Sequence, residues 1–357
     1  MRYIRFLKTP RIVPEKGTSR SHLHCLITIT SDLGDSFLPY DIQLAAELLA
    51  CTNAGEHVAV WKTVQWTSGM RSLPITLPLP NSQLPSSLLR IKIGPEPKKP
   101  YDEYAALLER EAQGVVSAWS PSFTPHVDTV KLVERRFKLP NEPTISIWEE
   151  TGESIARHLW DAGIALSCQL TDLKDPNTDI ARALLPTPPT FPLHILELGT
   201  GCGMVGITLA QILPNAKVLL TDLPLAQDIA QRNIDQATQA QSLSLGFLAL
   251  DWDVDLASQL PPASVPVDLV IAADCTYNPD SSPSLVRTLV RLAESSPNII
   301  VAIAMKMRHS SEQVFFGLMQ RAGFVEMANL KFPLPGDVQV GEEMVHLHVY
   351  RKLVPDT

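Results

Sequence analysis

The chain has 357 residues, a formal net charge of −8 and an apolar share of 45%. That length leaves room for two domains of about 100–200 residues, each able to bury a core. The acidic balance argues against a broad nucleic-acid-binding surface, which needs a dense Lys/Arg face, so nucleic acid is not an expected partner. The five cysteines (Cys25, Cys51, Cys168, Cys202 and Cys275) form no CxxC pair. They fit a reducing compartment better than a disulfide framework. The basic start MRYIRFLKTPRIVPEKG has no continuous apolar core of the kind a secretory leader needs. The longest apolar runs, such as Ile299 to Met305, fall far short of the ~20 residues of a membrane helix. The expectation is a soluble monomer of the cytoplasm, with the nucleus as a second location.

In chain order, the first hundred residues read as a small β-rich domain. His22–Thr30, His57–Trp66 and Leu88–Ile93 alternate or are β-branched, as strands are. Asp41 to Leu49 fits a short helix. Trp61 and Trp66 alternate with apolar neighbours and are expected in that domain's core. Residues 101–143 read as a helical connector. Within it Tyr101 to Gln113 carries Tyr104, Leu107 and Leu108 on one helical face, and the basic run Lys131–Lys138 reads as a solvated helix face. Residues 144–357 then form the second domain. Glu150 to Leu170 fits a long amphipathic helix, and Asp172 to Pro192 a polar, proline-rich loop.

From Leu193 strands and helices alternate. The predicted strands are His194–Leu198, Lys217–Thr221, Leu245–Leu250, Val267–Ala272 and Asn298–Met305. Helices are predicted over Met204–Leu213, Leu225–Gln239, Ser284–Ala293 and Ser310–Ala322, and two strands, Phe324–Lys331 and Met344–Lys352, close the chain. All-apolar strands in βα units imply a parallel sheet covered on both faces, and the last two strands, with no helix between them, imply one antiparallel member. The fold class expected is α/β: a seven-stranded Rossmann-like sheet preceded by a smaller β-rich domain.

The first strand of this half runs into Glu197-Leu-Gly199-Thr-Gly201-Cys-Gly203-Met-Val-Gly206. Glycines after a parallel strand give a tight turn, let backbone approach a ligand and set a helix N-terminus beside it. By itself the G-x-G-x-x-G spacing is shared with NAD enzymes. Three acids separate the readings. Glu197 precedes the turn, where a carboxylate suits a cationic amino-acid tail and not a pyrophosphate. Asp222 ends the second strand, within reach of ribose hydroxyls, although NAD enzymes place an acid there too. Asp251-Trp252 ends the third strand, where the carboxylate can take an adenine amino group and the indole can stack on the ring. Together they favour S-adenosylmethionine (SAM) over a dinucleotide. His22 with His24 and His346 with His348 are i, i+2 pairs without a third ligand at zinc spacing, so no metal is expected.

Two further segments narrow the class: Trp148-Glu-Glu-Thr-Gly152 with Leu159-Trp160-Asp161-Ala162-Gly163, and Asp274-Cys-Thr-Tyr277 after the fourth strand. With the glycine turn, they resemble the METTL21-like protein-lysine methyltransferases (the methyltransferase-16 group), fungal members in particular, over about Thr144 to Lys352. The resemblance implies a SAM-dependent enzyme acting on lysine in a protein of the translation-factor or chaperone class. It implies cofactor contacts from Trp160, Glu197, Gly199, Gly201, Gly203, Asp222, Asp251, Trp252 and Ala273. It also implies that Asp274 and Tyr277 line the target-lysine channel and carry catalysis. The stretch from Thr151 to Trp160 is longer than the group's short form, which leaves Glu149, Glu150 and Glu153 without a role. The core family does not account for the β-rich first domain, expected to face a partner. That domain motivates the alternative of a scaffold protein on a methyltransferase fold.

Overall fold

The computed structural model describes residues 1–15, 17, 20–79, 88–107, 109, 114–124, 129–140, 144–151, 154–188, 190–260, 266–335 and 344–353. They form two compact units. The first takes the described residues of Met1–Lys138 and Pro143–His158; the second takes those of Leu159–Leu334 together with the last strand.

The first unit is built from β1 (Arg2–Pro14), β2 (Ser21–Thr30), β3 (Ile42–Thr52), β4 (Gly55–Trp66), β5 (Leu73–Pro78), β6 (Leu88–Pro95), β7 (Asp102–Glu103), α1 (Tyr104–Leu107), β8 (Val115–Val116), β9 (Ala118–Trp119), β10 (Leu132–Lys138) and β11 (Thr144–Glu150). Its two sheets run β5-β2-β1-β8 and β11-β10-β9-β6-β3-β4, with β7 beside β10. They share one core, in which Ile4, Phe6, Leu23 and Ile27 of the first sheet meet Leu48, Ala50, Ile91 and Ile93 of the second. This is sandwich packing, with alternate residues of each strand turned inward.

Four sequence expectations change here. Asp41–Leu49 is not a helix, because β3 pairs along its length with β4 and with β6; two ladders override the helix preference of Ala, Leu and Glu. Residues 101–143 are not a helical connector. The only helix described in them is α1, residues 108 and 110–113 lie outside the described set, and β10 pairs with β11 from Leu132↔Glu150 to Lys138↔Thr144. The first unit therefore runs past both expected boundaries. The basic run Lys131–Lys138 is largely β10, and Arg135 within it is 0% exposed. Its guanidinium donates to Ile4 O, Ser117 O and the Glu149 carboxylate, stapling one sheet to the other. Finally, Trp66 is buried but Trp61 is 50% exposed, with Lys98 Nζ 3.8 Å from its ring centroid. An odd separation along a strand puts the two indoles on opposite faces.

The second unit comprises α2 (Asp161–Gln169), α3 (Asp179–Leu184), β12 (Leu193–Leu198), α4 (Met204–Ile212), β13 (Ala216–Asp222), α5 (Gln227–Ala240), β14 (Leu245–Ala249), β15 (Leu269–Ala273), α6 (Ser282–Ser295), β16 (Ile300–Met305), α7 (Val314–Arg321), β17 (Phe324–Pro333) and β18 (Met344–Lys352). Seven strands lie in the order β14-β13-β12-β15-β16-β18-β17. The first five are parallel, and β18 runs antiparallel to both neighbours, as the terminal hairpin predicted. Helices α6 and α7 pack on the face bearing Leu196, Leu198, Val270, Ala272, Val301 and Ile303. The entry helix is shorter than expected. Glu150 ends a strand, and His158 and Trp160 are extended at φ −113°, so α2 begins only at Asp161. The expected loop at Asp172–Pro192 contains α3, capped by the Thr178 hydroxyl on Ala181 N. His346 and His348 stack on one face, and among the described residues no His/Cys/Asp/Glu cluster fits a metal ion.

Candidate active site

Strand order reverses between β12 and β15, and the crevice at the carboxyl ends of the strands beside such a point is where open α/β sheets bind ligands. The chain places its unusual backbone there. Gly199, Gly201 and Gly203 follow β12 at φ +63°, +54° and +85°. A Cβ on Gly199 would lie 2.5 Å from Cys275 Sγ and 3.4 Å from the Trp252 indole, so this turn accepts no side chain. Trp252 thus reaches from the loop after β14 to the glycine turn.

Glu197 is 2% exposed. Its Oε2 accepts from the Thr200 hydroxyl at 2.6 Å and from Gly206 N at 2.9 Å. Burial pushes its carboxyl up to about 8; the two hydrogen bonds pull the other way, and the charge of Asp222 adds to the rise. Asp222 ends β13 and accepts from Gly201 N at 2.8 Å and Leu223 N at 2.7 Å, fixing the turn from below. Its pKa is raised by burial against the pull of those two amides. Asp251 Oδ1 caps its own turn through Asp253 N, while Gln259 clasps the Asp251 backbone on both sides, by 2.7 and 2.9 Å bonds. Sequence reading missed Gln259.

Ala273 ends β15 beside Ala304 of β16. Asp274 follows at φ +53°, the one left-handed residue other than glycine among those described. Its carboxylate is buried and doubly engaged. Oδ2 accepts from Ala162 N in the first turn of α2 at 2.7 Å, and Oδ1 accepts from Arg308 Nη1 at 2.7 Å. The Arg308 guanidinium also lies 5.4 Å from the Trp160 ring centroid. Next to it Lys306 and Asp161 form a fully buried ion pair at 2.8 Å. Lys306 and Arg308 were not singled out from the sequence. The available signal was two cations flush with the end of an apolar strand. Tyr277 is 48% exposed; burial, with the charges of Cys275 and Asp222, raises its phenol pKa. Of Glu149, Glu150 and Glu153, the first pairs with Arg135, the second with Arg157 at 2.8 Å, and the third lies outside the described residues.

The comparisons agree with this geometry. The family model described as lysine methyltransferase matches residues 139–322. A UPF0665 family protein of Schizosaccharomyces pombe is 27% identical, covering 88% of this chain and 91% of its own length. EEF1A lysine methyltransferase 3 of Mus musculus is 28% identical over 58% of this chain and 77% of its own. Protein-lysine N-methyltransferase EFM6 of Saccharomyces cerevisiae is 29% identical over 50% of this chain and 75% of its own.

Proposed function

The chain belongs to the lysine methyltransferase family, and on that premise we propose that it moves a methyl group from SAM to a lysine side chain in a protein of the translation machinery. The observation that supports this most is the glycine turn closed over by Trp252, with acids at the ends of the neighbouring strands. The residues present fit the cofactor: a glycine turn with left-handed backbone at the strand end, the Trp252 indole packed beside it, and carboxylates at Glu197 and Asp222. Gly199 and Gly201 would hold SAM by their backbone, Asp222 the ribose, Asp251 and Trp252 the adenine. SAM supplies an electrophilic methyl group when bound, so the chain's own work is alignment. Glu197 holds a proton near neutrality in its buried site; an ammonium group arriving beside it favours the carboxylate form. A target lysine must reach the site as the neutral amine, since its ammonium (pKa about 10.4) has no lone pair. Tyr277, a half-exposed residue, offers its hydroxyl to orient that nitrogen.

The crevice rim supports a protein substrate. Leu223, Leu225, Val254, Tyr277 and Met307 stand exposed on the loops after β13, β14, β15 and β16. Exposed apolar groups gathered on one edge mark a protein-binding surface. The name EEF1A lysine methyltransferase 3 points the reading to lysine on a translation factor, and the name protein-lysine N-methyltransferase EFM6 to lysine in a protein. We propose the cytoplasm as the place of action, where such factors work. The test is methyl-labelled SAM with a lysate from cells lacking the gene. One or a few labelled proteins, with methyl-lysine found by mass spectrometry, are expected. Absence of SAM binding by calorimetry refutes the enzyme reading; binding without any labelling favours a scaffold that retains the fold.

A further inference from the structure

The resemblance assigns Asp274 to the lysine channel, where its charge would draw in the ammonium. The geometry points to a different use. Both carboxylate oxygens are occupied at 2.7 Å, one by Ala162 N and one by Arg308 Nη1, and the side chain is buried. Among the described residues, a second ion pair stands beside this one: Lys306 with Asp161, next to Arg308 with Asp274. The same four side chains join three pieces of chain: the end of β15, the end of β16 and the first turn of α2. Trp160, the residue before α2, lies against the guanidinium. The φ of +53° at Asp274 is strained backbone for a residue with a side chain and persists only where the surroundings over-determine it.

We propose that Arg308 is a positioning residue for methyl transfer: it holds the Asp274 carboxylate against α2 and so fixes the strained turn that carries Tyr277, with Asp274 as the keystone of this clamp and not the receptor of the lysine ammonium. The inference rests on the methyltransferase reading above. A buried ion pair adds little net stability but is costly to break on one side, which suits a device that sets geometry. Misplacement of a reacting group by about 1 Å lowers a rate by about 10²-fold.

The test uses the full chain carrying Arg308→Ala, Arg308→Lys, Asp274→Asn, Asp274→Ala and the double alanine variant. Labelling of the knockout lysate is measured at saturating SAM, with SAM affinity by calorimetry and amide hydrogen exchange by mass spectrometry. Arg308→Ala is expected to lower the labelling rate by about 10²-fold, with the protein concentration at half-maximal rate and the SAM affinity within about threefold of wild type. Arg308→Lys recovers part of the rate. Asp274→Asn, which keeps an acceptor for Ala162 N, retains more rate than Asp274→Ala. The double variant is no slower than the worse single one, because one residue acts through the other. Exchange at Ala162 and at Cys275–Tyr277 quickens in Arg308→Ala. Additive losses, equal damage from Asn and Ala at 274, or a rise confined to the half-maximal substrate concentration would overturn the proposal in favour of direct ammonium binding. If the wild-type chain labels nothing, the methyltransferase reading fails, while unchanged exchange in Arg308→Ala independently refutes the clamp.

Discussion

The two units bury charge in different settings. In the first, Arg135, Glu149, Arg90 and Glu134 sit within strands, with their partners in the same unit: Arg135 reaches Glu149 and two other segments, and Arg90 pairs with Glu56 and Glu134. In the second, Glu197, Asp274 and Lys306 sit at or just beyond the carboxyl ends of parallel strands. The buried charges of the first unit tie its strands together through partners within that unit. In the second unit a charge buried at a strand end borders the crevice, where a ligand changes its surroundings. Glu149 and Glu197 are each the second-to-last residue of a strand and each 2% exposed; what separates them is the partner, a guanidinium for Glu149 and a hydroxyl with a backbone amide for Glu197.

The largest expected effect of that difference is a pair of opposite pH responses. Burial pushes Glu149 up, but Arg135 and His158 outweigh it and hold the carboxyl at about 2, below the ordinary 4.5. Its contribution to stability is therefore present above about pH 4.5 and is lost as pH falls toward 2. Glu197 is the reverse. Its folded value of about 8 exceeds 4.5, so its contribution is complete below 4.5 and lost as pH rises through 8. Asp102, pushed up by burial to about 6, opposes Glu149 in the first unit between about 4 and 6, so the acid limb stands clear only below that. Urea unfolding across pH, read by amide exchange in β11 and in β12, is expected to weaken β11 in acid and β12 in mild alkali. Glu197→Gln flattens only the alkaline limb. A limb of the same sign in both strands breaks the comparison.

Next in size is Arg135→Leu, which takes the strongest opposing charge from buried Glu149 and leaves it to His158 and Arg5, and is expected to destabilise the first unit by about 3–5 kcal/mol. Adding Glu149→Leu should recover most of that loss in the same urea titration. If the double variant is as weak as the single one, Arg135 acts through its carbonyl bonds to Ile4 and Ser117 and not through charge.

Much of the second unit was legible in the sequence because its signals are local. Strands β12 to β16 are short apolar runs set off by turn residues, and the glycine turn requires backbone that only glycine adopts at no cost. The first unit was harder. Its strand β3 is written in Ala, Leu and Glu, and only pairing on both sides makes it extended. β10 reads as a basic helix face until Arg135 finds acceptors on other strands, Ile4 O among them, far away in sequence. The same blindness hid the clamp. Lys306 and Arg308 follow their acids by 145 and 34 residues, so neither pairing leaves a trace in spacing. Asp274 was legible as a special position, but its engagement was not.

Glycine substitution sharpens the contrast more gently. Gly69 in the first unit and Gly199 in the second both have positive φ, at +87° and +63°. A Cβ at Gly69 meets nothing within 4 Å, whereas one at Gly199 meets Cys275 Sγ at 2.5 Å. Gly69→Ala should cost only backbone strain, about 1 kcal/mol, in thermal unfolding. Gly199→Ala should also disturb the turn under Trp252 and weaken SAM binding by roughly 10- to 100-fold in calorimetry. Equal SAM affinity in the two variants would remove the turn from the binding site.

The smallest effect concerns two aromatic side chains of nearly equal exposure, Trp61 at 50% and Tyr277 at 48%. Exposure does not distinguish them; their neighbours do. Trp61 lies on the edge strand β4 under Lys98, a surface cation–π contact worth about 0.5–1 kcal/mol. Tyr277 stands three residues beyond Asp274, near enough to Asp222 and Cys275 for their charges to raise its phenol pKa. Tyr277→Phe keeps the ring and removes only the hydroxyl, so its loss should report one hydrogen bond, about tenfold in labelling rate. Trp61→Phe is a larger truncation, in the other unit, and should leave the rate unchanged. If both variants label at the wild-type rate, the Tyr277 hydroxyl does not orient the lysine, and the half-exposed ring belongs to the apolar rim that receives the substrate protein. A slowed Trp61→Phe would instead bring the edge of the first unit's sheet into substrate recognition.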